Sequence, residues 1–157
     1  MTDSHILQPG YAPTPFSAAE IQAGCPAGRT IRLAVEQEGS KHLRVIRFTA
    51  VDADGADQES WEATAGGERI GEPAVSRSSW PEFQAHASFP AAVVAIEEGE
   101  VTTPLGTETC LIYRVTGDPE KSVFWFAKER PGMPVKVESQ VDGKVVYSMV
   151  MVEDEIS

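Results

Sequence analysis

Glu82 and His86 lie four residues apart in the stretch SSWPEFQAHASFP, a spacing that puts two side chains on one face of a helix. A carboxylate beside an imidazole can pass a proton, so this pair is the candidate for acid–base work. The plainer reading of the same spacing is a helix-surface ion pair or capping interaction, and it is the favoured one. Cys25, His42, His86 and Cys110 lack the short ligand spacing of a zinc site, so no metal is expected. Ser76, Ser78, Ser79 and Ser88 flank the same region without a Gly-x-Ser-x-Gly elbow. The glycines of TAGGERIGE miss the G-x-G-x-x-G spacing, and nothing basic follows to meet a phosphate. No cofactor is implied, and the reading leans away from an enzyme.

The remaining chemistry is apolar. Trp61, Tyr113, Trp125, Phe126, Met133 and Met149 are the candidate lining of a hollow for a small apolar or lipid-like molecule, although large aromatics are commonly core. Trp125 stands out through its strand, SVFWFA. Phe124 and Phe126 point one way along it, while Val123, Trp125 and Ala127 point the other. An antiparallel sheet packed on one core needs a single apolar face. The second face of this strand therefore calls for helices, a ligand or a partner chain, a homodimer included. Directly after it, Pro131 and Pro134 bracket Gly132 and Met133 in a stiff corner.

The elements that must hold these residues are legible from local signals. Ser17 with Glu20, and Ser79 with Glu82, have capping-box spacing, which predicts short helices near 18–24 and 80–86. Phe16 and Ile21 take the staple positions of the first helix. Phe83 and Ala87 share the face of the second that docks on a sheet. Elsewhere the period is two: TIRLAVE, LRVIRFTAV, QESWEATA, ERIG, AAVVAIEE, TCLIYRV, SVFWFA, VKVESQV and KVVYSMVMVE. Gly66-Gly67 and Asp142-Gly143 are tight-hairpin signals. The predicted fold is α+β and mainly antiparallel β, a single curved half-barrel sheet of about eight to ten strands with two short helices. Residues 1–15, rich in proline and glycine, read as an extended N-terminal arm, and 16–157 as the single domain. The terminal EDEIS reads as a solvated end.

The chain of 157 residues carries 13 basic and 24 acidic side chains, a net charge of −11. That balance argues against nucleic acid as a partner, since phosphate binding needs clustered Lys and Arg. Two cysteines cannot make a disulfide framework, and Cys25 and Cys110 are expected to be free thiols. No signal peptide is legible at the amino terminus. QAGC at 22–25 looks like a lipoprotein cleavage site, but Pro13, Pro15 and Glu20 fall where its apolar run would be. No segment approaches the ~18 apolar residues of a membrane span. A cytoplasmic protein is expected.

TPLGTETCLIYRV, FWFAKERPGMPVKVE and DGKVVYSMVMVE, in that order, resemble a broad group of uncharacterised bacterial proteins related to the lipoprotein-carrier (LolA-like) half-barrels. The resemblance covers about residues 100–153, and the front segments PTPFSAAEI and WPEFQAHASFP resemble those of actinobacterial proteins. It implies a curved antiparallel sheet wrapping an apolar hollow closed by helices. The chain departs from the carriers in lacking a legible export signal and a usable lipidation cysteine. The function expected is a noncatalytic module holding a small apolar or lipid-like ligand. The alternative is a protein-interaction module using an exposed sheet edge or apolar face.

Overall fold

Both helices form where the capping signals place them in the computed structural model, which describes residues 3–117 and 119–156. In α1 (Ala18–Gly24) the Glu20 amide donates to Ser17 Oγ at 3.2 Å, and the Ser17 amide donates back to the Glu20 carboxylate at 2.9 Å. In α2 (Trp80–Ala85) Ser79 and Glu82 repeat both bonds at the same lengths, with Pro81 in the first turn. The orphan amides of each first turn are thereby occupied. The staple residues Phe16 and Ile21 are both buried.

Nine strands form one antiparallel sheet. They are β1 (Arg29–Gln37), β2 (Ser40–Val51), β3 (Gly55–Ala63), β4 (Arg69–Ser79), β5 (Val94–Thr103), β6 (Gly106–Thr116), β7 (Glu120–Ala127), β8 (Lys136–Val141) and β9 (Lys144–Ile156). Their order across the sheet is β4-β3-β2-β1-β9-β8-β7-β6-β5. Two meanders thus meet where β1 pairs with β9, and β4 and β5 are the edges. The chain must cross a face of the sheet to pass from one edge to the other, and that crossing carries α2.

Turn chemistry accounts for the closest hairpins. Asp142 and Gly143 have φ of 52° and 79°, and Glu38 and Gly39 have 52° and 81°, the doubly positive geometry of a two-residue turn matched to strand twist. Gly66-Gly67 behaves differently from its sequence signal. β3 ends at Ala63, and the loop 64–68 is closed by Thr64 N–H to Glu68 O and Gly67 N–H to Thr64 O, both 2.8 Å. Thr64 Oγ1 also accepts the Glu68 amide, which holds the wider loop. β4 then continues well beyond ERIG to Ser79. Pro73 is tolerated there because an edge strand has no ladder bond to lose on its outer side.

The core lies between the sheet and the helices. The register aligns Val35, Met149, Val137, Phe124 and Tyr113 in one row across β1, β9, β8, β7 and β6, and Phe16, Ile21 and Trp80 pack into the same cluster. The segment read as an arm runs along the helices and is tied down. Ala12 N–H donates to Phe89 O and Ala91 N–H to Gly10 O, each at 2.9 Å. Buried Gln84 of α2 accepts from Ala18 N–H at 2.9 Å and donates to Ser4 O at 2.8 Å and Thr14 Oγ1 at 3.0 Å. One side chain joins the arm to both helices.

The corner after β7 has Gly132 at φ +116°, a conformation that L side chains rarely adopt. A Cβ there would also sit 3.4 Å from Cys25 Sγ. Gly132→Val is expected to destabilise the fold by about 1–3 kcal/mol, read from urea melts. A loss under ~0.5 kcal/mol, the scale of an ordinary surface change, would show the corner to be unstrained.

Candidate functional site

α1 and α2 stand side by side over the sheet, and between them, the sheet and the 131–134 corner lies a cavity of about 250 Å³. Ile31 of β1, Phe48 of β2 and Phe124 and Phe126 of β7 form its floor. Phe83 and Ala87 from the α2 segment and Ile21 of α1 form one side, and Met133 of the corner the other. The aromatic walls brace one another. Phe124 and Phe126 stack at 6.2 Å, and Phe83 packs at 6.0 Å from Phe48 and 5.5 Å from Trp80. Exposed His86 and half-buried Gln58 bring polar atoms to the lining.

Arg29 closes the base. The inward alternation of Ile31, Leu33 and Val35 extends back to it, and its side chain is only 3% exposed. Nε and Nη2 each donate to a different Asp154 carboxylate oxygen at 2.9 Å. Nη1 donates to Gly24 O at 3.0 Å, to Pro131 O at 2.7 Å and to Cys25 Sγ at 3.2 Å. Arg130 adds a bond to Asp154 at 3.0 Å and holds Glu108 with its Nε. The guanidinium thus ties the end of α1, the corner and β9 together. The approach is close enough that a Cβ on Gly24 would lie 2.8 Å from the Pro131 ring, a contact only glycine avoids.

Asp154 belongs to the segment read as a solvated tail, and that reading is corrected here. A bulge opposite Arg32/Leu33 shifts the phase of β9. Met149 and Met151 point inward, and after the extra residue Asp154 does too, while Glu153 turns out to meet Arg32 at 2.7 Å. Burial alone would push the Asp154 carboxyl up. The hydrogen bonds and charge of Arg29, followed by those of Arg130, outweigh it and hold the group below the usual carboxylate range.

Of the residues singled out in the sequence, Phe126, Met133 and His86 line the cavity. Tyr113 stands behind Phe126 at 5.3 Å, its hydroxyl donating to Pro13 O at 2.6 Å, and burial pushes its phenol up. Met149 is buried in the core row beside Val35 and Val137. Trp61 and Trp125 lie on the opposite face, the first under the Arg69 guanidinium at 4.4 Å and the second under the Lys136 ammonium at 4.9 Å. The Glu82 carboxylate serves the Ser79 cap, which holds it below its ordinary range, while His86 packs edge-on to Phe83. No Glu82–His86 hydrogen bond occurs among the described residues.

Phe48, Phe83, Phe124 and Gln58 also line the cavity. Alternation along β7 had already separated Phe124 from Trp125, so the side of that strand was readable and its occupant was not. Among the described residues no group of three or more His, Cys, Asp or Glu could hold a metal, and no helix is long and apolar enough to cross a membrane.

An open antiparallel sheet with helices and an apolar cavity on one face defines the class of fold. No family model and no curated protein matches the chain. Among solved structures the fold is similar to MucB. The Pseudomonas aeruginosa MucA/MucB complex aligns with a TM-score of 0.62 at 12% identity, over 86% of this chain and 53% of that one. A crystal structure of MucB aligns at 0.61 and 11% identity, over 87% and 56%, and MucB in complex with MucA(peri) at 0.61 and 13%, over 88% and 53%. This chain therefore spans about half the length of the MucB chains it matches, and at these identities the likeness is one of fold.

Asp154 has a lowered pKa in the fold, so its contribution is present above the unfolded value of about 4 and is lost as pH falls through the folded one. Asp154→Asn is expected to cost about 3–5 kcal/mol at neutral pH by leaving Arg29 buried without its counter-charge. The gap between variant and parent should close in urea melts taken stepwise from pH 5 toward 2; a gap independent of pH would refute the ion pair. Both cysteines are buried and free, and burial, with Glu108 secondary, pushes the Cys110 thiol up to about 11. Thiol titration without reductant should find Cys110 only after denaturant is added, and rapid labelling of the native protein at Cys110 would contradict this.

Proposed function

We propose that this protein is a noncatalytic binding module that holds a small apolar or lipid-like molecule between its helices and its sheet. The observation that carries the reading is the aromatic cavity of about 250 Å³, against the ~150 Å³ of an engineered apolar cavity that admits benzene. Its walls cannot easily collapse inward. The corner is fixed by Pro131, Pro134 and the Arg29 bonds, and the helices are spaced by Gln84. The half-barrel resemblance, with its apolar hollow, points the same way. Two unpaired thiols suit a reducing compartment, and a cytoplasmic setting is part of the proposal.

A second reading, a protein-interaction module, draws on the sheet edge. β5 pairs with β6 from Val94 to Thr103 in unbroken register, whereas β4 is broken by a bulge and contains Pro73. Every second residue of β5 turns its backbone polar groups outward, a template for an added strand. The likeness to MucB, which is found in complex with MucA, supports this reading as fold analogy alone.

An apolar dye that brightens on burial distinguishes the two. Ala87 is half-buried in the cavity wall, and Ala87→Phe fills space there while leaving the edges untouched. The dye is expected to bind the parent chain and Trp125→Ala alike and to bind Ala87→Phe at least ~10-fold more weakly, a change of about 1.4 kcal/mol. Absence of dye binding, together with self-association of the parent chain lost on introducing proline into β5, would favour the interaction reading.

A further inference from the structure

We propose that the cavity selects an uncharged apolar molecule with a single hydrogen-bonding head group, and rejects the matching carboxylate. The inference rests on the binding reading above and specifies its ligand class. Arg29 is the only Arg, Lys, Asp or Glu side chain among the described residues of the lining. All three of its nitrogens are engaged, two by Asp154 and the third by Gly24 O, Pro131 O and Cys25 Sγ. Its charge is already balanced by a carboxylate at 2.9 Å, with Arg130 and Glu108 completing a network turned away from the ligand space. A second carboxylate entering the cavity would find no unpaired Arg or Lys among the described lining residues and would lose its water.

No Asp, Glu or Lys joins Arg29 among the described residues of the lining. Gln58 lies between Phe48 and Ser76 in the cross-strand register, and of that row Phe48 and Gln58 reach the cavity. The Gln58 amide has no protein hydrogen-bond partner among the described residues, and it offers both a donor and an acceptor. His86 is the other polar side chain of the lining. Cys25 is a buried thiol whose pKa is raised by burial despite the nearby Arg29 charge, so it stays protonated and neutral. From α1, α2, the sheet and the corner alike, the surfaces facing the ligand space supply apolar contact, one free amide and the His86 imidazole. That set matches an alcohol, an ester or an amide head on an aliphatic body. It does not match a fatty-acid anion, and the net charge of −11 adds a long-range penalty for an anion.

Octanol and octanoate separate the possibilities, each titrated as a competitor of the apolar dye on the full chain. At pH 8 octanol is expected to displace the dye at a concentration at least ~30-fold below that of octanoate, since the acid must take up a proton to enter. The ratio should then narrow by about tenfold per pH unit on acidification. The same slope should persist in His86→Gln, because the proton resides on the ligand; a slope abolished by that variant would assign the effect to the imidazole and overturn the proposal. Gln58→Arg, which places an unpaired cation at the head-group position, should erase most of the preference for octanol. Equal displacement by both competitors at pH 8 would refute the selectivity while leaving the binding reading intact. Failure of both to displace a bound dye, or of the dye to bind, would remove the binding reading itself.

Discussion

The buried Arg29–Asp154 pair is the constraint on which the site depends. A guanidinium withdrawn from water is tolerable only when its donors and its charge are matched together, and here the matching groups come from distant parts of the chain. Asp154 is supplied by the last strand, Pro131 O by the corner after β7, and Gly24 O by the end of α1. Asp154 alone meets Nε and Nη2, while Gly24 O, Pro131 O and Cys25 Sγ share Nη1, so their positions are specified jointly. Gly24 and Gly132 follow from that demand. The first lets the helix end approach the Pro131 ring, and the second turns the corner with a positive φ. The floor, side and rim of the cavity are the elements that converge on this one side chain.

Connectivity explains why the cavity lies on one face. Pairing of β1 with β9 places the ends of the strand series at the centre of the sheet, which leaves β4 and β5 at opposite edges. The connection between them has to traverse a face, and α2 is folded from it. α1 precedes β1 and joins α2 on that face through Gln84, while the Tyr113 hydroxyl holds the preceding segment at Pro13 O. The helices are too short to cover nine strands completely. What they leave between Phe83, Phe124 and the corner is the apolar space.

The legible parts of this structure are those coded by neighbours in sequence. Each capping box lies within four residues, and Asp142-Gly143 needs only its own backbone preference, so helices and closing hairpin were readable. The strand count followed from the period-two runs. Gln84 and Asp154 were not readable, because their partners lie 66 and 125 residues away. Asp154 was further concealed by the bulge in β9, since regular alternation from Met149 and Met151 would turn Glu153 and Glu155 inward. Arg29 did carry a signal, two residues before Ile31 on the inward phase, but a charge at a strand start reads more naturally as solvated. The strand signal of ERIG stops short of the full β4, Arg69–Ser79, because glycine and proline weigh against a strand, a penalty that an edge strand escapes.

The tryptophans show why the size of an aromatic is a poor guide to its role. Trp125 shares its strand with Phe124 and Phe126, and a strand apolar on both faces calls for helices, a ligand or a partner chain on the second. On that face Trp125 stands opposite buried Ile112 in the β6–β7 register. Lys136, opposite Trp125 in the β7–β8 register, lays its stem and ammonium over the indole, and Arg69 does the same for Trp61. Such contacts screen apolar area with side chains whose charged ends remain in water. An outer face built in this way can be rich in aromatics and still face solvent. Beside the cavity on the inner face, Arg29 is committed to Asp154, Gly24 O and Pro131 O. The helices cover part of the aromatic area of that face, and the cavity they leave lies beside Phe124.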